Sequence, residues 1–301
     1  MENFITGKKN TKGLLDRLIE CNTFDPFLLV DFRIGDIVVG KIHKNRLDII
    51  EKEATVFQIG PEGVTLHASQ DTAEKRTAAL DEVLRKWNRE DIITGWRDEN
   101  YRVSPSFDSP PLMEIERSAA AFFGIMGYGV HLNGITTLEG QPQMWMARRS
   151  AQKAKFPGYL DHLVAGGVPA GMNARDTLIK ECAEEAGIPE ALARQARPAG
   201  AVYYCKQEIW GLEREILFIY DLHIPETFSP NNTDGEVAEF FLWPIEQVMS
   251  VLADSHEVQP CCQPVMIDFL VRHGYLSPED CHYLEIIRGL WGFEEQWSTE
   301  I

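Results

Sequence analysis

At 301 residues, the chain is long enough for two domains or one domain with a large extension. Hydrophobic residues make up 44% and charged residues 25%, a composition that builds an ordinary globular core. A formal net charge of −17 argues against a nucleic-acid partner, which requires a basic footprint to displace phosphate counterions.

No apolar run approaches the ~18 residues of a membrane span, and Met1–Asn10 carries no apolar leader. The six cysteines (Cys21, Cys182, Cys205, Cys261, Cys262 and Cys281) show no CxxC or Cys/His zinc spacing. Reduced thiols in a cytoplasmic setting are expected.

In chain order, residues 11–22 read as a helix with Leu14, Leu15, Leu18 and Ile19 on one face. Phe27–Phe32 and Ile37–Ile42 have strand character, and Ala73–Asn88 has helical spacing at Leu80, Val83, Leu84 and Trp87. Three prolines in Ser104–Pro111 suggest a boundary, giving a division into 1–110, 111–255 and 256–301. Strands are expected at Ala121–Leu132, Met144–Arg148, Val202–Lys206, Ile216–His223 and Phe240–Trp243. Helices are expected at Ala174–Ala186, after Pro244, and over Pro264–His273 and Pro278–Leu290. Strands flanking one long helix predict an α+β layer fold.

The chemistry concentrates in Gly166–Ile188. A glycine-rich loop leads to Asn173, a suitable N-cap, and Gly187 followed by Pro189 supplies the stop. Glu181, Glu184 and Glu185 stand at i, i+3 and i+4, so three carboxylates share one helical face. Their repulsion does nothing for the helix, whereas clustered hard oxygens suit Mg²⁺ or Mn²⁺. A solvated acidic face is the other reading of the triplet alone; the glycine loop in fixed register before it favours metal.

This segment resembles the signature of the Nudix hydrolase family, G-x5-E-x7-R-E-U-x-E-E-x-G-U, in which U is bulky and apolar. Gly166, Glu181, Glu184, Glu185, Gly187 and Ile188 match it, whereas Met172 replaces its Glu and Lys180 its Arg. In the family those two positions tend to form a bracing salt bridge. The runs Phe156–Asp161, Val164–Gly167, Tyr220–Leu222, Asp234–Val237 and Ile267–Tyr275 resemble one Nudix branch. That branch includes the module fused to thiamine pyrophosphokinase in fungi and stand-alone bacterial and plant relatives. Gly95–Val103 resembles the extra N-terminal domain of the same branch.

The resemblance implies a Nudix α/β/α sandwich with an N-terminal α+β domain and C-terminal helices. It also implies a metal-dependent pyrophosphohydrolase acting on a small-molecule diphosphate. Thiamine diphosphate or its oxo and oxy analogues would yield the monophosphate and phosphate. The alternatives are a nucleoside diphosphate derivative, such as ADP-ribose or a nucleotide sugar, and a non-catalytic ligand sensor. Glu181, Glu184 and Glu185 are the implied metal ligands, and these with Glu236 are the catalytic candidates; Glu239 is the reserve acid.

Gly166, Gly167, Arg148 and Arg149 are candidates for substrate contact, with Lys153 and Lys155 completing a basic cluster. Trp96, Tyr101 and Trp210 are candidate stacking surfaces, although aromatics more often serve as core. His162 precedes the box closely enough to reach the site, and Cys261–Cys262 reads as a buried or helix-entry pair. The N-terminal domain is expected to complete the pocket, to pair subunits in a homodimer, or to do both. No nucleic-acid or membrane partner is expected.

Overall fold

The computed structural model describes residues 9–291; residues 1–8, most of the segment read as lacking a leader, and residues 292–301 lie outside the described part. Helix α1 (Thr11–Glu20) starts at Asn10, whose side chain accepts the Gly13 N–H, and buries Leu14 and Leu18. Strands β1 (Leu29–Ile34) and β2 (Ile37–His43) follow, then α2 (Leu47–Glu51), β3 (Phe57–Gly60) and β4 (Gly63–Leu66). The order is β2-β1-β4-β3, with β1 parallel to β4 and antiparallel to β2. Helix α3 (Ala73–Arg89), capped by Thr72, buries the four apolar residues its spacing predicts.

Strands β5 (Asn100–Val103) and β6 (Met113–Glu116) pair antiparallel, so the proline-rich segment 104–112 is the loop of a hairpin. The expected boundary at 104–111 falls inside one unit for a packing reason. The core around Phe32, Phe57 and Trp87 continues through Phe122 and Phe123 to Ile125. Trp87 and Phe122 have ring centroids 5.0 Å apart.

The second unit is built on β7 (Met126–Leu138), β8 (Gln141–Arg149), β9 (Leu160–His162) and β10 (Val164–Gly167). Next come α4 (Ala174–Ala186), α5 (Glu190–Ala193), β11 (Arg197–Glu208), β12 (Gly211–His223) and β13 (Val237–Pro244). Three further helices complete it: α6 (Ile245–Asp254), α7 (Cys262–Arg272) and α8 (Tyr283–Trp291). The sheet has seven strands in the order β11-β12-β7-β8-β13, with β10 beside β7 and β9 beside β8. In this sheet, among the described residues, β12 and β7 pair in parallel and the other strand pairs are antiparallel.

Alternation along β12 supplies both faces of this sheet. Phe218, Tyr220 and Leu222 join the core beneath α4 with Leu178, Cys182 and Ala186. Leu217 and Ile219 join the opposite core, which holds residues of α6, α7 and α8. The result is an α/β/α sandwich. Leu14, Leu18 and Cys21 also belong to that second core. Helix α1 therefore packs with the C-terminal helices, not with the strands that follow it. At the far side, Arg272 of α7 reaches Asp221 at 2.6 Å and Asp268 at 2.6 Å, tying α7 to β12.

Among the described residues no helix is long and apolar enough to cross a membrane. All six cysteines are free thiols.

Candidate active site

The loop-to-helix turn has the caps that its sequence predicts. Asn173 Oδ1 accepts the Asp176 N–H at 2.9 Å, and Gly187 adopts φ 62° at the C-cap, a left-handed conformation that suits glycine. Strand β10 runs alongside α4 and pairs with β7, from Val164 opposite Leu132 to Gly167 opposite Gly129. Glu185 is buried, and its Oε2 accepts the Ala165 N–H of β10 at 2.9 Å.

Gly166 is required by close approach: a Cβ there would lie 2.5 Å from Glu181 Cγ. Gly166→Ala is therefore expected to displace Glu181 and lower turnover at least tenfold, a barrier change of ~1.4 kcal/mol. Circular dichroism should show the fold retained; a fully active alanine variant would contradict this packing.

Burial raises the carboxyl pKa of Glu181, opposed by the charge of Lys180. Burial, reinforced by the negative charge of Asp161, raises that of Glu185 well above the usual carboxylate range. Both effects express the cost of holding anionic oxygens together away from water. Lys180, where the family signature has Arg, lies 3.2 Å from Glu181 Oε1 and 2.7 Å from Glu184 Oε2. It thus bridges two of the box carboxylates as a cation. The half-buried Met172 offers no charge to pair with it.

Glu181 and Glu185 open onto a cavity of about 490 Å³, within the usual range for a small organic ligand. Glu184 does not line it and is more exposed. Arg149 does line it, donating to Asp161 Oδ2 at 2.6 Å and to two loop carbonyls. Arg148 does not: adjacent strand residues face opposite ways, and Arg148 donates to the Gly158 carbonyl at 2.9 Å.

Glu236 faces the cavity and is hydrogen-bonded by Lys153, with Arg97 at 3.9 Å. Burial works against its ionisation, but Lys153 outweighs it and holds the carboxyl below its ordinary range. Glu239 lies opposite Arg148 in the β8–β13 register, outside the cavity lining.

Of the aromatic candidates, Tyr101 and Trp210 line the cavity, whereas Trp96 is elsewhere, donating to Asp98 at 2.8 Å. His162 is buried behind the wall with its Nδ1 3.1 Å from that of His131. Burial lowers His131 to about 4 and His162 to about 3, so both rings are neutral near pH 7. The fold brings these two histidines and Cys262 within 4.8 Å of one another, a grouping that chain spacing does not announce. Cys262 Sγ donates to Asp161 Oδ1 at 2.8 Å.

Residues of the first unit form the opposite wall, and sequence reasoning missed most of them. A Cβ on Gly167 would lie 1.9 Å from Tyr101 Oη and 3.2 Å from Arg117 Cζ. The first unit therefore presses directly on the glycine loop. Arg117, 2.8 Å from Glu99, brings a cation beside that loop. No local motif marks it, because its position comes from the turn that follows β6.

Two family models match this division: one described as "Domain of unknown function (DUF4743)" over residues 13–127, and "NUDIX domain" over 130–260. The chain is 40% identical over 289 residues to Nudix hydrolase 20, chloroplastic, of Arabidopsis thaliana, covering 92% of this chain and 77% of that protein. It is equally similar over 282 residues to Nudix hydrolase 24, chloroplastic, of the same plant, with the same coverage. The uncharacterized protein YJR142W of Saccharomyces cerevisiae is 30% identical over 273 residues, covering 85% of this chain and 79% of that protein. With that identity across both units and with Glu181 and Glu185 of the box at one cavity, the chain belongs to the Nudix hydrolase family and is a pyrophosphohydrolase.

Proposed function

We propose that the protein hydrolyses the diphosphate linkage of a small organic diphosphate of the thiamine type, releasing the monophosphate and phosphate, in the cavity between its two units. The observation that carries this reading is the composition of that cavity. Glu181 and Glu185 line it together with Arg97, Tyr101 and Arg117 of the first unit. Such a site can hold a charged diphosphate at the box and an organic group against the N-terminal wall.

The box residues fit a divalent cation, Mg²⁺ or Mn²⁺. They offer hard oxygens, one pair of which is already bridged by the Lys180 cation. When bound, the metal supplies positive charge against the phosphate oxygens. Glu181, Glu184 and Glu185 would hold it. Arg117, Lys153 and Arg149 add the fixed positive charge that an acidic chain must concentrate locally. A carboxylate among Glu181, Glu185 and Glu236 would accept the proton of the attacking water. Free thiols throughout the chain support work in the reducing cytoplasm.

A panel of thiamine diphosphate, its oxo and oxy analogues, ADP-ribose and nucleoside diphosphates tests the substrate class. The thiamine-type compounds are expected to show the higher kcat/KM. A higher value for ADP-ribose would replace this reading with a nucleotide-derivative pyrophosphatase.

A further inference from the structure

Behind the cavity wall stands a second group of metal-binding side chains, separate from the box. His131 lies on β7, His162 on β9, and Cys262 opens α7. All three are buried, and one ligand atom of each lies within 4.8 Å of those of the other two. The proposed hydrolysis uses none of them. Pairing across the sheet brings them together: His162 stands opposite Met146, whose side chain belongs to the core that α7 enters, so its ring faces that helix.

The two rings meet edge to face with their Nδ1 atoms 3.1 Å apart. A hydrogen-bonded pair accounts for them only in part. One Nδ1 donates to the other, and His162 Nε2 is left buried without a partner among the described residues, a costly position for a polar atom. His131 Nε2 lies on the side of Gly129, 3.9 Å from where a Cβ would stand, and both residues line the cavity. With its proton on that side, His131 turns the Nδ1 lone pair toward His162.

The spacing suits a tetrahedral transition metal. Zinc, with bonds of about 2.0–2.1 Å to nitrogen and about 2.3 Å to sulfur, sets two nitrogens about 3.3 Å apart and nitrogen and sulfur about 3.6 Å apart. The Nδ1 pair already stands near that separation. Side-chain rotation of about 1 Å brings the sulfur into range.

We infer that His131, His162 and Cys262 form a site for a thiophilic transition metal, Zn²⁺ above all, distinct from the hard-cation site of the carboxylate box. Imidazole and thiolate select zinc over Mg²⁺. Three protein ligands leave the fourth tetrahedral position to water on the cavity side of His131. Coordination forms a metal–sulfur bond and releases the Cys262 proton to solvent. Without metal, burial and the neighbouring Cys261 hold that thiol protonated, donating to Asp161. A bound dication reverses the balance, because a coordinating thiol is deprotonated outright. The loaded site pins α7 to β7 and β9, whatever substrate the cavity takes.

Cobalt titration of the full-length, metal-stripped protein, with excess Mg²⁺ to occupy the box, tests the site. Co²⁺ bound to a thiolate gives an ultraviolet charge-transfer band that oxygen ligands do not. Wild type is expected to show that band, saturating at one equivalent per chain, and Zn²⁺ should abolish it. Cys262→Ser should lose the band, and His162→Gln should weaken Co²⁺ binding at least about tenfold, with circular dichroism showing both variants folded. Cys261→Ser, next to the ligand, should keep the band. X-ray absorption of the zinc-loaded wild type, which needs no variant, should show one sulfur and two imidazole nitrogens. A wild type without the thiolate band, a band that survives in Cys262→Ser, or a zinc shell of oxygens alone would overturn the site.

Discussion

Glu185→Gln and Glu181→Gln are each expected to lower kcat at least a hundredfold, about 2.7 kcal/mol of barrier, without unfolding the protein. The reasoning starts from their cost in the fold. Burial raises both carboxyl pKa values, so each ionised group is a charge held against its preference. A neutral amide of the same shape removes that cost. The melting temperature of either variant, measured in chelator, should therefore equal or exceed that of wild type.

The pH dependence follows from the same shift. A carboxyl raised in the folded state contributes stability below its unfolded pKa, and that contribution is lost as pH rises through the folded value. The metal-free protein should thus lose stability from these groups toward neutral and alkaline pH. The gain in melting temperature on adding Mn²⁺ should be larger at pH 8 than at pH 6, because binding selects the deprotonated carboxylates. A glutamine variant that kept full turnover would remove these residues from the chemistry. One that lost activity only by unfolding would reduce them to packing.

The second large effect is expected at Arg117. Its guanidinium sits against the glycine loop, held by Glu99 and lying 5.4 Å from the Tyr101 ring centroid. The proximity of Tyr101 and then Glu99 keeps it charged, with its pKa raised above that of a free arginine despite burial. A charge-assisted contact to phosphate is worth about 1.5–3 kcal/mol. Arg117→Ala should therefore lower kcat/KM by about ten- to a hundredfold for every diphosphate tested, whatever its headgroup. Unchanged kcat/KM in Arg117→Ala would mean that the first unit closes the cavity without touching phosphate.

What the sequence discloses and what it hides divide along physical lines. The box helix, Ala174–Ala186, was legible because its N-cap and glycine stop are local signals. The aromatic helix Ala73–Arg89 was legible for the same reason, as was the layer architecture. Short strands β3 to β6 were not, since four residues give alternation too little length to register.

The role of α1 was also hidden. Its apolar face predicts a helix but not that Leu14 and Leu18 enter the core of the second unit. Removing residues 1–103 would strip that core as well as the N-terminal wall, so a point variant at Arg117 is the cleaner probe. The cavity itself could be read only in part. Glu181, Glu185, Glu236 and Arg149, named from the box, the Asp-Gly-Glu turn and the basic cluster, line the cavity, whereas Arg117 and Glu215 acquire their positions from pairing and turns distant in sequence.

The most direct test of metal-dependent diphosphate cleavage is ³¹P nuclear magnetic resonance of thiamine diphosphate incubated with the full-length protein. After EDTA treatment the diphosphate signals should persist unchanged. On addition of excess Mg²⁺ they should give way to equal amounts of thiamine monophosphate and inorganic phosphate. Cleavage at full rate in chelator, or an intact diphosphate after Mg²⁺ is restored to the folded protein, would contradict the account.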